Sequence, residues 1–280
     1  MILFKNAIAL AHTLEQRRKS GKTVGFVPTM GALHDGHLAL LERSKKENAV
    51  TVCSIFVNPT QFNNATDFQL YPNTIEQDIE RLLEAGCDAL FLPDKKEIYP
   101  EGYVPPHYEL GYLETILEGA YRPGHFQGVC QAVDRLLTIV NPNQLYMGQK
   151  DYQQCLVIKR LLSQTGRQGI KLNIVPTIRE ASGLAMSSRN LRLTAEQRET
   201  AVAIYNTLLL LKKHIGTSSI AELKNEGMGK LKSSGFDVDY IAIADATDLS
   251  TVEEKKSSKM VGLIAATLGT IRLIDNLLLN

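Results

Sequence analysis

Two histidines close to the first predicted strand are the side chains best suited to chemistry in this sequence. His34 and His37 lie in PTMGALHDGH, where the β-branched run TVGFV gives way to a helical pattern. If the helix has begun by His34, the i,i+3 spacing puts both imidazoles on one face. A helix N-terminus offers N–H groups and partial positive charge, and Gly31 and Gly36 allow close approach of a ligand. The pattern favours a phosphate site over two ordinary polar residues in a loop.

A second polar segment, GQKDYQQ, also follows a predicted strand and opens a helix. Lys150 can meet a phosphate as a mobile point charge, and Asp151 can accept hydrogen bonds from a ribose hydroxyl. The alternative is that Asp151 caps the helix and Lys150 is a solvated surface charge. The segment alone does not decide between these two interpretations.

The segment AMSSRN places two small hydroxyls, Ser187 and Ser188, beside Arg189. Arginine binds phosphate through two parallel N–H donors, so these three residues could form a phosphate clamp. A turn before the next helix explains the same residues nearly as well.

Amide side chains follow the second predicted strand in NPTQF. Asn58 and Gln61 could hold a small polar acid by hydrogen bonds, and Gln154 could contribute from another segment. A polar loop is the competing interpretation, particularly for Asn58, which precedes a proline. In RPGHF, a role for Arg122 or His125 stays open because a charged turn before an apolar helix is common.

The elements that must position these residues alternate between strands and helices up to about residue 176. The run VTVCSIFV is apolar almost throughout, which suits a parallel sheet covered on both faces. Strands are predicted at 23–27, 50–57, 88–92, 144–147 and 171–175. Helices are predicted in the N-terminal segment, after His37, and at 74–86, 126–140 and 151–165. This alternation predicts a doubly wound α/β domain over residues 1–176.

The pattern changes in residues 177–280, where helices precede strands. A long helix is predicted at 194–214, with Thr194 as its N-cap, and another near 219–233. Two apolar strands follow, DYIAIAD and MVGLIAATLG. This order predicts a smaller α+β domain.

The composition sets limits on partners and location. The 280 residues carry a net charge of +1, which argues against broad binding to nucleic acid or anionic lipid. The four cysteines form no CxxC pair and are expected to be buried thiols, and no cluster has the spacing of a zinc site. No apolar run approaches the 18–20 residues of a membrane span, and the N-terminal segment lacks the pattern of a signal peptide. We expect a cytoplasmic protein.

Five segments together resemble the pantothenate synthetase family of the nucleotidyltransferase superfamily. They are FVPTMGALHDGH, SIFVNPTQF, EGAYRPGHFQGV, GQKDYQQ and GLAMSSRN, in this order. The likeness runs from about residue 20 to 200, with weaker agreement to RLIDN at 272–276. This sequence has Gln149 where the family usually has Glu, and Thr60 where it commonly has Met.

The resemblance implies an ATP-dependent ligase that joins pantoate to β-alanine through a pantoyl adenylate. It implies a homodimer, a Rossmann-like first domain, a smaller lid domain over ATP, and Mg²⁺. His37 matches the position to which the family assigns proton donation, and His34 and Lys150 are the other catalytic candidates. Pantoate would be held by Gln61 and Gln154. The positions matching the family's ATP contacts are Met30, Gly31, His34, His37, Gly148, Gln149, Lys150, Asp151, Ile178, Met186, Ser187, Ser188 and Arg189.

Other classes share part of this pattern. A cytidylyltransferase-like enzyme would use the same histidines but act on a phosphorylated acceptor, which the uncharged Asn58 and Gln61 fit less well. A tRNA synthetase would normally need a basic RNA-binding domain, against which the net charge speaks. A nucleotide sensor would bind ATP without releasing pyrophosphate.

Overall fold

The computed structural model describes residues 1–252 and 259–280 and divides them into two compact units. The first unit comprises Met1–Gly148 and Gln154–Pro176. The second comprises Gln149–Gln153 and Thr177–Asn280. The short segment Gln149–Gln153 therefore makes its contacts with a part of the chain that is distant in sequence.

The first unit is built on six parallel strands in the order β1-β4-β3-β2-β5-β6. All six residues of the central strand β3 are buried, as the continuous apolar run predicted. The strands are β1 (Ile2–Phe4), β2 (Val24–Thr29), β3 (Val50–Ile55), β4 (Ala89–Phe91), β5 (Gln144–Gly148) and β6 (Lys171–Val175).

Eight helices connect or flank these strands. They are α1 (Ala7–Lys19), α2 (Asp35–Glu47), α3 (Ala65–Gln69), α4 (Ile75–Glu84), α5 (Lys95–Ile98), α6 (Leu117–Tyr121), α7 (His125–Val140) and α8 (Tyr152–Gln164). Helix α2 packs against β2, β3 and β5, and α7 packs against α1 and β2. The predicted doubly wound α/β fold is confirmed.

The strand order reverses between β2 and β5. From β2 the chain proceeds outward through β3 and β4, and from β5 it proceeds through β6 on the other side. In open α/β sheets, ligands bind beyond the carboxyl ends of the strands at this reversal. The histidine segment follows β2, and the segment with Lys150 follows β5.

The second unit contains an antiparallel sheet of three strands with two helices packed on it. Its strands are β7 (Asp237–Asp245), β8 (Met260–Leu268) and β9 (Ile271–Leu278), and its helices are α9 (Ala195–His214) and α10 (Ile220–Ser233). Leu208 and Leu211 of α9 are buried in a core with Ile264 of β8. The predicted N-cap is confirmed, because the Thr194 hydroxyl accepts a hydrogen bond from the Gln197 amide.

Two strands were not predicted. Strand β1 has only three residues and lies at the edge of its sheet, so it shows too little of a pattern to distinguish it from the start of α1. Strand β9 contains Asp275 and Asn276, both buried, and these polar residues interrupt its apolar alternation. The sequence IRLIDNLL was therefore not recognised as a strand.

Cys53, Cys87, Cys130 and Cys155 are all buried free thiols, as predicted. Within residues 1–252 and 259–280, no helix is both long enough and apolar enough to span a bilayer.

Candidate active site

The histidine segment folds into a tight loop that ends as the N-terminus of α2. Gly31 has a φ of +82° and Ala32 a φ of +48°, so two consecutive residues adopt the left-handed conformation. His34 is the N-cap of α2, and its Nδ1 accepts a hydrogen bond from the Gly36 amide at 3.2 Å. The Nδ1 of His37 accepts one from the His34 amide at 3.3 Å. The two histidines thus form a capping box on the first turn of α2.

These caps determine which ring nitrogen carries the proton. Because a backbone N–H can only donate, Nδ1 of each ring is an acceptor and each neutral imidazole carries its hydrogen on Nε2. The ring centroids of His34 and His37 are 4.1 Å apart. The loop therefore holds two Nε2–H donors side by side at a helix N-terminus, an arrangement that suits phosphate oxygens.

A buried carboxylate on α4 braces this loop. Asp78 is 1% exposed and accepts hydrogen bonds from the amides of Ala32 at 2.8 Å and Leu33 at 2.7 Å. The Thr74 hydroxyl donates to the same carboxylate at 3.2 Å. These charge-assisted bonds hold the left-handed residue that precedes the histidines.

Gln61 lies in a 3-10 turn at Pro59–Gln61, and its carboxamide is fixed on both sides. Its Oε1 accepts from Asn58 Nδ2 at 3.1 Å, and its Nε2 donates to the sulfur of Met30 at 3.1 Å. Asn58 is 1% exposed, and its oxygen also accepts from Tyr99 and from Thr60. Burial raises the pKa of Tyr99, so its hydroxyl stays protonated and able to donate.

The RPGHF segment supports the same turn from the start of α7. His125 is buried, and its Nδ1 lies 2.8 Å from the Gln61 carbonyl oxygen. Arg122 donates to that oxygen at 3.4 Å, and its Nη1 lies 3.1 Å from His125 Nε2. A Cβ on Gly128 would lie 2.3 Å from the Thr60 carbonyl oxygen, so only glycine allows α7 to approach the turn this closely.

In the second unit, the segment with Lys150 is held by the last strand. Asn276 Nδ2 donates to the carbonyl oxygens of Gln149 at 3.0 Å and Lys150 at 2.8 Å. The Gln149 Nε2 donates to Asn276 Oδ1 at 3.3 Å. The ammonium of Lys150 is 3.7 Å from the Asp151 carboxylate.

The serine-rich segment is attached to a short antiparallel bridge. The Met186 amide donates to the Ile178 carbonyl at 3.0 Å, which brings two of the predicted ATP contacts together. Ser187 is the N-cap of a 3-10 turn at Ser188–Arg192, and its hydroxyl accepts from the Arg189 amide at 3.3 Å. Asn190 is buried and donates to the Ala185 carbonyl at 3.0 Å.

A buried ion pair secures this bridge to strand β9. Arg179 donates from both terminal nitrogens to the Asp275 carboxylate, at 2.6 and 3.0 Å. Its guanidinium carbon also lies 3.9 Å from the ring centroid of Tyr205. Burial raises the pKa of the Asp275 carboxyl, although the hydrogen bonds from Arg179 act in the opposite direction.

The structure distributes the predicted site residues over both units, and Gln149–Asp151 belong to the second unit although they follow β5 directly. Met30 and Gln61 are in contact near the histidine loop, and Gln154 is half-buried in α8. Sequence reasoning missed Asp78, Arg179 and Asp275, and gave Asn276 no role. Three of these four are buried carboxylates or amides, and an acid or amide at a buried position in an amphipathic pattern is a signal that could have found them.

The described residues, 1–252 and 259–280, include no group of three His, Cys, Asp or Glu side chains able to hold a metal ion. An open parallel sheet with paired histidines on the helix that follows the reversal point defines an α/β protein that binds its ligand beyond the carboxyl ends of the strands.

Comparisons with known proteins narrow this class. The family model described as pantoate-beta-alanine ligase matches residues 2–278. The pantothenate synthetase of Azobacteroides pseudotrichonymphae is 42% identical over 280 residues, with 99% of each chain covered. That of Cytophaga hutchinsonii is 45% identical over 274 residues, covering 96% of this chain and 95% of its own. The chain therefore belongs to the pantoate–β-alanine ligase family.

Solved structures agree with this assignment. Pantothenate synthetase from Thermus thermophilus superposes with a TM-score of 0.93 at 41% identity, covering 100% of this chain and 99% of its own. The pantoate-beta-alanine ligase from Francisella tularensis, described as complexed with beta-gamma ATP and beta-alanine, gives a TM-score of 0.82 at 40% identity. It covers 100% of this chain and 98% of its own.

Proposed function

We propose that this chain condenses pantoate with β-alanine to form pantothenate, using ATP and releasing AMP and pyrophosphate. The observation that carries the proposal is the family match across residues 2–278, together with the capped His34–His37 pair on α2. The family's ATP-bound and β-alanine-bound member supports these two substrates for this chain.

In the first step, an oxygen of the pantoate carboxylate attacks the α-phosphorus of ATP, and the bond to the pyrophosphate oxygen breaks. The products are pantoyl adenylate and pyrophosphate. Negative charge on the leaving phosphates is stabilised by donors that are already in place. We assign this role to the Nε2–H groups of His34 and His37, which donate hydrogen bonds to phosphate oxygens, and to Lys150.

In the second step, the neutral amine of β-alanine attacks the acyl carbon of the adenylate. The bond from that carbon to the AMP oxygen breaks, and the amine loses a proton as the amide forms. Adenylation is needed because a free carboxylate offers no adequate leaving group. Cleavage of ATP to AMP and pyrophosphate therefore drives formation of the amide bond.

The remaining site assignments belong to the same proposal. In the first unit, ATP contacts are assigned to Met30, Gly31 and Gly148. In the second unit they are assigned to Gln149, Asp151, Ile178, Met186, Ser187, Ser188 and Arg189. Gln61 and Gln154 bind pantoate. Asn58 acts on pantoate through Gln61, because its own side chain is buried and hydrogen-bonded to Gln61, Thr60, Tyr99 and Gly128.

The proposal extends to metal, assembly and location. Mg²⁺ enters as part of the substrate Mg·ATP, because this ion is commonly bound through substrate phosphates rather than by a cage of protein ligands. The first unit, Met1–Gly148 with Gln154–Pro176, binds pantoate and ATP, and the smaller unit, Gln149–Gln153 with Thr177–Asn280, supplies further ATP contacts. The protein acts as a cytoplasmic homodimer.

A stepwise product assay tests the reaction. Purified protein is mixed with Mg·ATP and pantoate while pyrophosphate is followed, and β-alanine is then added while AMP and pantothenate are followed. We expect a stoichiometric burst of pyrophosphate that becomes steady turnover with β-alanine. Absence of pyrophosphate with pantoate would overturn the substrate assignment. Pyrophosphate release with a phosphorylated acceptor instead would indicate a cytidylyltransferase-like enzyme.

A further inference from the structure

Asp275 and Asn276, two adjacent residues on strand β9, form hydrogen bonds that hold two separate segments with assigned ATP contacts. Asn276 is 2% exposed and lies 127 residues from Gln149 and 126 from Lys150 in sequence. Its Nδ2 donates to the carbonyl oxygens of both. Because one amide group bonds two consecutive carbonyls, it fixes the path of the backbone that carries the Lys150 side chain.

The orientation of the Asn276 amide is set from the other side. Its Oδ1 accepts from the side-chain nitrogen of Gln149 at 3.3 Å. This contact directs the Nδ2 group toward the two carbonyls. Gln149, which departs from the residue usual in the family, therefore helps to orient Asn276 in this chain.

Asp275, the preceding residue, holds the second segment. Its carboxylate is 4% exposed and pairs with both terminal nitrogens of Arg179. Arg179 also donates to the backbone oxygens of Gly183 at 3.1 Å and Asn276 at 3.2 Å. The residue before Arg179, Ile178, is hydrogen-bonded to Met186 at the start of the serine-rich segment.

We propose that Asp275 and Asn276 are positioning residues for adenylation, which aim Lys150 and the Ser187–Arg189 segment at the phosphates of ATP. The inference rests on the proposed function. Burying a carboxylate costs free energy that even a good ion pair does not always recover, so stability alone is a weak reason for this arrangement. Fixed donors, in contrast, are what a charged transition state requires.

The primary test is Asn276→Ala, compared with Asp239→Asn as control. Asp239 of β7 forms an ion pair at 2.6 Å with Arg272 of β9, so the control weakens a contact in the same sheet while Asp275 and Asn276 keep their side chains. We expect Asn276→Ala to lower kcat/KM for ATP by about 10²-fold, since a misplacement of about 1 Å costs that much. The KM for pantoate should not change. Unaltered ATP kinetics in a folded Asn276→Ala protein, or an equal loss in the control, would overturn the proposal.

A double-mutant cycle separates positioning from general destabilisation. If Asn276 acts by aiming Lys150, then Asn276→Ala should add little to the loss already caused by Lys150→Ala. Losses that multiply fully would show that the two residues act independently and would contradict the proposal. Asn276→Asp, which keeps the size but loses both donations, and Arg179→Lys, which keeps the charge but loses the paired contact, should show the same ATP-specific defect. They carry the test if the alanine variant does not fold.

A direct measurement of ATP binding tests the positioning role separately from the proposed reaction. The affinity of each folded protein for ATP is measured by calorimetry without pantoate. Weaker binding in Asn276→Ala but not in Asp239→Asn supports the positioning role even if the wild-type protein releases no pyrophosphate with pantoate. Equal affinity in wild type and Asn276→Ala, together with unchanged kinetics, rejects the inference while leaving the ligase assignment intact.

Discussion

The segments that follow β2 and β5 are held by contacts of different range. After β2, the histidine rings are fixed by amides two or three residues away, and one more distant residue, Asp78, braces the loop. After β5, Gln149 and Lys150 are held by Asn276, more than 120 residues later in the chain. The first arrangement comes from the local folding of α2, whereas the second forms only when the C-terminal sheet is complete.

This difference has a consequence for how each segment responds to mutation. Disturbing α2 or its loop should affect the histidines and leave Lys150 in place. Disturbing β9 should affect Lys150 and the Ser187–Arg189 segment and leave the histidines in place. Variants near α2 and variants on β9 should therefore show different kinetic defects.

The largest effect is expected for His37→Ala. It removes an Nε2–H donor and also the cap on the His34 amide, and loss of one preorganised donor costs about 10²–10³ in rate. Pyrophosphate release with Mg·ATP and pantoate is the measurement. His12→Ala, on the exposed face of α1, is the matched control and should behave as wild type. Normal pyrophosphate release by His37→Ala would remove the histidine from the mechanism.

The next largest effect is expected for Asp78→Asn, which tests the brace of the histidine loop. An amide oxygen carries no charge, and its NH₂ cannot accept, so one of the two loop amides loses its partner. We expect the free energy of unfolding to fall by about 2 kcal/mol, measured by urea denaturation. The rate of pyrophosphate release should fall about 10-fold through displacement of the histidines.

The double variant Asp78→Asn with Asn276→Ala compares the two regions directly. Its rate of adenylation should fall by the product of the two single losses, because Asp78 and Asn276 support segments in different units. A double variant no worse than either single variant would show that the two regions are one cooperative network. That result would break the distinction between local and distant support.

The same difference in range explains what could be predicted from the sequence. Strands β2 and β3 are mostly apolar runs, and the histidine motif lies in one short segment, so pattern and spacing sufficed. The histidine pairing and the N-cap at Thr194 depend on neighbours within a few residues.

The support of Lys150 could not be predicted in this way. RLIDN was recognised as a matching motif, but nothing within it indicates that its asparagine reaches the residues after β5. Likewise, Asp78 lies within a predicted helix, and its buried position does not indicate which loop it braces. Both roles depend on a partner distant in sequence, which periodicity does not report.

A smaller and more selective effect is expected for Gln61→Ala. The carboxamide is held by Asn58 and Met30 within the first unit, so its loss should raise the KM for pantoate about 3- to 10-fold, the value of about one hydrogen bond. The KM for ATP should remain at the wild-type value. Gln168→Ala, in an exposed turn, is the control. A change confined to ATP would contradict the assignment of Gln61 to pantoate.

The smallest effect on catalysis is expected for Thr194→Ala, which removes a local cap in the second unit. Thr194 and Gln197 form a capping box on α9 much as His34 and His37 do on α2. We expect the free energy of unfolding to fall by about 1 kcal/mol, measured by urea denaturation, with ATP kinetics unchanged. Ser219→Ala, at the capping box of α10, should behave alike. If Thr194→Ala instead impaired ATP kinetics as Asn276→Ala does, the ATP-binding segments of the second unit would depend on the local stability of α9. Their dependence on β9 would then no longer be specific, because any weakening of the unit would displace them.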